Sequence, residues 1–81
     1  MRIDSFLNTT NILKRRSVAQ DLIKNNLVFV NGAVVKASRV VKIGDIVEIK
    51  FLEYSKKYKI LAIPQTKNVP KNAKNDFWVE V

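Results

Sequence analysis

The spacing of apolar residues changes character at Leu27, and that change constrains the fold class. Before it, Ile3, Phe6 and Leu7 stand at i, i+3 and i+4, and Val18, Ala19, Leu22 and Ile23 form a second stripe of the same kind. Spacing of this sort gathers apolar side chains on one side of a helix. After Leu27 the period is two: Val47, Ile49 and Phe51 alternate with Glu48 and Lys50, as in a strand with one wet face. The chain is therefore predicted to be α+β. Two short N-terminal helices, over residues 2–8 and about 15–25, precede a small, mainly antiparallel sheet with a C-terminal extension.

Turn chemistry divides the strands. Asn31-Gly32 separates residues 28–30 from 33–35, and this pair favours a two-residue hairpin with positive φ at both central positions. Residues 8–11, Asn-Thr-Thr-Asn, supply capping and turn side chains after the first helix. Asn26 stands where the second helix must end in a left-handed residue. Gly44-Asp45 is a further turn and opens a strand at 46–51; a charged turn over 53–57 then leads to an antiparallel partner at 58–63. Pro64 stops that strand, having no N–H to donate. Residues 1–63 are expected to form one domain and 64–81 a basic, partly ordered extension. Within the extension, 65–76 is polar, contains Pro70 and is predicted to be loosely held. Phe77-Trp78-Val79 reads as a last short strand, and because neighbouring residues face opposite ways, at least one of its aromatics closes the core.

Composition matters mainly for the chemistry it removes. The 81 residues include no Cys and no His, so disulfides, thiolate metal sites and the commonest general base are all excluded. Seven scattered carboxylates suggest no acid–base pair. No catalysis, metal or cofactor is expected. No apolar run approaches the roughly 20 residues that cross a bilayer, and the amino end, carrying Asp4, reads as helix rather than as a secretion signal. A cytoplasmic protein is predicted. Fifteen Lys and Arg against seven Asp and Glu leave a net charge of +8, a field that points to an anionic partner, nucleic acid before membrane.

The cations are not evenly spread. Lys14-Arg15-Arg16 opens the second helix, where physical preference runs the other way. A helix amino end carries about half a positive charge, so each cation there costs up to several tenths of a kcal/mol. A local rule broken without structural compensation marks a candidate site. Phosphates docked there would turn both the cations and the free backbone donors to advantage. Lys36, Arg39 and Lys42 form a second cluster after the hairpin, with Arg2 at its rim and Ser38 and Asn31 able to hydrogen-bond phosphate or ribose. Lys56, Lys57 and Lys59 are assigned to ordinary solvation.

Taken in order, these segments resemble the S-four RNA-binding domain, named after ribosomal small-subunit protein four. The resemblance is carried by Arg2-Ile3-Asp4 with Phe6-Leu7, Arg15 through Ala19, Leu22-Ile23, Val28 through Gly32, Lys36-Ala37-Ser38 and Gly44 through Ile49. It covers about residues 2–50. It implies an alpha-L motif, two helices and a hairpin packed on the sheet, that binds RNA through the start of the second helix and the post-hairpin loop. Those positions fall on Arg15, Arg16, Lys36, Ser38 and Arg39. The chain departs from the family in having Arg15-Arg16 where Ser-Arg is usual, and Asn26 where Gly is usual.

Many such domains are joined to RNA-modifying enzymes. This chain is more similar to the free-standing members, the heat-shock protein fifteen group and its shorter relatives. That similarity implies binding to large-subunit ribosomal RNA and tRNA on obstructed ribosomes, as a monomer when free, with neither membrane nor small-molecule partners. The competing readings are an RNA-targeting subunit for a modifying enzyme, a ribosome assembly factor and an unselective polyanion binder. A sulphur-carrier fold is disfavoured because both glycines, Gly32 and Gly44, stand in turns.

Overall fold

The computed structural model describes residues 1–65 and 76–81. Helix α1 (Ile3–Thr9) and helix α2 (Arg16–Lys24) precede five strands: β1 (Val28–Val30), β2 (Ala33–Val34), β3 (Ile46–Lys50), β4 (Ser55–Ile60) and β5 (Trp78–Glu80). The strands form one sheet in the order β2-β1-β3-β4-β5, with every neighbouring pair antiparallel. Cross-strand partners share a face, and one face is mainly apolar: Val28 opposes Ile49, Val30 opposes Val47, Val47 opposes Tyr58, and Ile60 opposes Trp78. Lys56, opposite Ile49, and Glu80, opposite Tyr58, form an ion pair on the same face. Ile3, Phe6 and Leu7 of α1 and Ala19 and Ile23 of α2 join those residues in a single buried cluster. The helices thus form one layer and the sheet the other.

The predicted turns have the expected backbone. Asn26 adopts φ +61°, and the amide of Leu27 donates to the carbonyl of Leu22 at 2.9 Å, closing α2 as its direction changes. Asn31 and Gly32 have φ of +52° and +85°. Several strand boundaries differ from expectation; β2 and β3 each end one residue early, at Val34 and Lys50, and β5 runs on to Glu80. β4 begins at Ser55, not 58, because a tight turn in which the Phe51 amide bonds the Tyr54 carbonyl (2.7 Å) brings the lysines into the ladder. β4 also ends at Ile60, where the amides of Leu61 and Ala62 turn to the carbonyl of Phe77. β5 starts at Trp78, one residue late.

Two joints outside the ladders hold the layers together. The Trp78 ring meets Tyr58 edge-on (centroids 5.0 Å apart), and its Nε1 donates to the carbonyl of Thr10 at 3.2 Å, fastening β5 to the end of α1. Trp78 therefore packs as predicted instead of presenting a free ring. The connector after β2 pairs with the amino end. Ile3 N donates to Arg39 O (2.7 Å), Val41 N donates to Met1 O (3.0 Å), and Arg2 opposes Val40. Most of the segment predicted to be loosely held falls at 66–75, outside the described residues.

Candidate nucleic-acid interface

Arg15 is the N-cap of α2, in extended conformation, and no side chain caps the helix. Its carbonyl accepts from the amides of Val18 and Ala19, while the first turn contains no acidic residue. Lys14, Arg15 and Arg16 are all exposed. Among the described residues the ion pairs are Arg2–Asp4 and Lys56–Glu80, so none of these three cations is neutralised there. The loop presenting them is well anchored. Leu13 is buried and its amide donates to Leu7 O (3.0 Å), and Asn8 Nδ2 reaches the carbonyls of Leu13 and Lys14 at 3.5 and 3.4 Å. An uncapped helix start and unpaired guanidinium groups together give this surface the chemistry that suits an anion.

Arg16 lines a small recess with Asp4, Ser5, Asn8 and Thr9 of α1. Asp4 is 2% exposed, and burying a carboxylate is costly unless donors surround it. It has three: Ser5 N on Oδ1 (2.8 Å), with Gln20 Nε2 (3.0 Å) and Arg2 Nη2 (3.2 Å) on Oδ2. Arg2 Nε also donates to Ala37 O at 3.4 Å. One buried carboxylate thereby ties together α1, α2 and the connector. Arg2 is the bridge between the two predicted clusters and remains half exposed.

The second cluster is spread along the connector instead of being gathered at one point. Lys36 lies in a groove between α2 and the connector, facing Gln20, Lys24 and Asn26. Arg39 is exposed; its amide turns back to Lys36 O (3.0 Å), and its carbonyl holds α1. Ser38 is exposed between them. Lys42 sits at the opposite, hairpin-tip end, where its amide donates to Asp45 Oδ2 at 2.9 Å. Asn31 has another task there. Its Nδ2 donates to Asp45 Oδ1 (3.1 Å) and its Oδ1 accepts from Ile46 N (3.0 Å), so its side chain latches the hairpin to β3 while the residue stays exposed.

Gln20 and Lys24, which the charge clusters of the sequence do not include, both line the groove. The available signal was their spacing from Arg16: positions 16, 20 and 24 lie on one stripe of α2. Asp21 also lines the groove, an acid set against the basic wall.

The S4 domain family matches residues 1–47, the stretch that contains every element of this surface. A Helicobacter pylori (strain 26695) protein named RQC P-site tRNA stabilizing factor is 44% identical over 71 residues, spanning 88% of this chain and 84% of its own. The solution structure of a hypothetical protein, HP1423, superposes with TM-score 0.87, covering 100% of this chain and 96% of that one at 38% identity. The trimeric structure of Vibrio cholerae heat shock protein 15 gives 0.86, over 100% and 81%. At 23% identity that last likeness concerns the fold alone.

Proposed function

The chain belongs to the S4 domain family, and on that premise we propose that it holds structured RNA without catalysing a reaction on it. The RNA in this reading is large-subunit ribosomal RNA together with tRNA, in ribosome-associated quality control. The name of the Helicobacter pylori relative, which specifies stabilisation of a P-site tRNA, supports this direction. The observation that carries it is the uncapped start of α2 with Arg15 and Arg16 unneutralised, tied through Asp4 and Arg2 to the connector.

Arg15 and Arg16 take backbone phosphates, assisted by Lys14 and the free amides of the first helical turn. Arg2, Lys36 and Arg39 continue the contact along the connector, Ser38 adds a neutral donor, and Lys42 reaches a phosphate at the far end. Lys24 faces Lys36 across the groove, so a strand entering it meets cations on both walls. RNA helices are read through shape, 2′-hydroxyls and phosphates, which suits an exposed surface of fixed guanidinium groups. In this reading the protein is cytoplasmic and monomeric when free, with no membrane or small-molecule partner.

Crosslinking in cells followed by sequencing of the attached RNA tests the assignment. Large-subunit RNA together with tRNA is the expected result. Small-subunit RNA alone would replace it with an assembly role, and a modifying enzyme as the main stable partner would make the chain a targeting subunit.

A further inference from the structure

The β3–β4 hairpin has an apolar tip that the surface described above does not use. Leu52 is 99% exposed and Tyr54 57% exposed, on a chain that otherwise packs its aromatics. The tip is well ordered by its own bonds: Phe51 N donates to Tyr54 O, and Lys50 pairs with Ser55 at the base of the turn. Phe51 packs against the core, and the Tyr54 ring stacks on it with centroids 4.8 Å apart and planes 25° from parallel. The Lys56 ammonium lies over the Tyr54 ring, 5.8 Å from its centroid and 3.9 Å from Glu80 Oε1. An incoming base would therefore take its place on the ring while the ammonium exchanges Glu80 for a phosphate. Lys50 and Lys57 flank the same hairpin. The amide of Lys50 donates to Leu27 O at 2.8 Å, so the base of the hairpin is braced against the residue just before β1.

We propose that Tyr54 is a stacking platform for one unpaired nucleobase, with Lys56 meeting that nucleotide's phosphate. The proposal rests on the RNA-binding reading and extends it from duplex-like RNA to a flipped-out or bulged base. An aromatic ring pre-stacked on a core residue loses little freedom when a base completes the stack Phe51–Tyr54–base. Such stacking tolerates any base, because each has a π-face. Lys50, Lys56 and Lys57 put cations within reach of a nucleotide's phosphate on the Tyr54 ring, and an apolar protein surface would have to bury them together with Glu53 in the turn and Glu80 beside Lys56.

Two RNAs separate this site from the α2 surface: a blunt duplex, and the same duplex carrying a single bulged 2-aminopurine. Wild type should bind the bulged RNA about tenfold more tightly and quench the 2-aminopurine fluorescence. Tyr54→Leu, which keeps apolar cover over Phe51, should abolish both the preference and the quenching while changing duplex affinity less than about twofold; Tyr54→Phe should retain both. Arg15→Ala with Arg16→Ala should weaken both RNAs together. Quenching and preference that survive in Tyr54→Leu, or a wild type that does not distinguish the RNAs, would overturn the platform and leave the α2 surface standing. A wild type that binds neither RNA at about 150 mM salt would overturn both.

Discussion

Lys14-Arg15-Arg16 at the start of α2 and Lys56, Lys57 and Lys59 on β4 contribute equal charge to the chain, yet the fold treats them differently. On β4, Lys56 lies 3.9 Å from Glu80, Lys57 stands opposite Glu48, and Lys59 is flanked in register by Ile46 and Val79. Those cations have local acids or apolar neighbours over which a long stem can lie. At the start of α2 no acid stands in the first turn, no side chain caps the helix, and the helix field adds to the charge. A run of cations thus acquires a function from the partners it lacks and from the backbone beneath it.

Removing the α2 cations is the strongest way to break this contrast. Arg15→Ala with Arg16→Ala should weaken binding to duplex RNA at least tenfold. Its melting curve should stay at or slightly above the wild-type position, because two charges unfavourable to the helix have gone. An unchanged dissociation constant would remove the site assignment. The same titrations over a salt series sharpen the mechanism. About five phosphate contacts give a slope near −4 in log affinity against log salt, and the double variant should lose roughly two units of that slope. A wild-type slope near zero would reject phosphate contacts as the source of affinity.

Arg2 stands between the two extremes, because it has a partner and that partner is buried. Arg2→Ala removes one of three donors from Asp4 and the link to Ala37, so both stability and binding should fall. Loss of a charged partner from a buried carboxylate costs about 1–3 kcal/mol, readable in urea unfolding, and RNA binding should weaken severalfold. Wild-type stability with weakened binding would mean that Gln20 and Ser5 alone satisfy Asp4. In the groove, Lys24→Ala with Lys36→Ala should weaken binding about three- to fivefold in a filter-binding or fluorescence titration, with little effect on folding, since both side chains are exposed. No loss there would confine the surface to the α2 start and Arg2.

Local chemistry made much of this legible in the sequence. The change of period at Leu27 separated helices from strands, and Asn26, Asn31 and Gly32 have the positive φ their residue types favour. The α2 cluster stood out because it opposed the helix dipole. What stayed hidden depends on contacts between distant residues. The pairing of residues 1–3 with 39–41 leaves no periodic trace, so the spreading of Lys36, Arg39 and Lys42 along the connector could not be read. The structural task of Asn31 could not be read because its acceptor and donor partners, Asp45 and Ile46, come from the far side of the connector. The start of β4 was missed because its lysines read as a charged turn, while the strand alternation they take part in is completed only by Tyr58 and Ile60.

The smallest expected effect belongs to β4 and closes the contrast from the other side. Lys56→Ala with Lys57→Ala removes the same number of charges as the arginine double variant, so a purely net-charge mechanism predicts a comparable loss. If local geometry governs, affinity for a blunt duplex should change less than about twofold, because these lysines are on the sheet rather than at the helix start. Stability should also move little, since the Lys56–Glu80 pair is half exposed on both sides and exposed pairs contribute at most about 1 kcal/mol. The duplex is the necessary substrate, because a bulged base would bring Tyr54 and Lys56 into contact and mix two sites in one number. A tenfold loss on the duplex would show that the long-range field dominates, and the surface would then have to be redrawn to include the sheet.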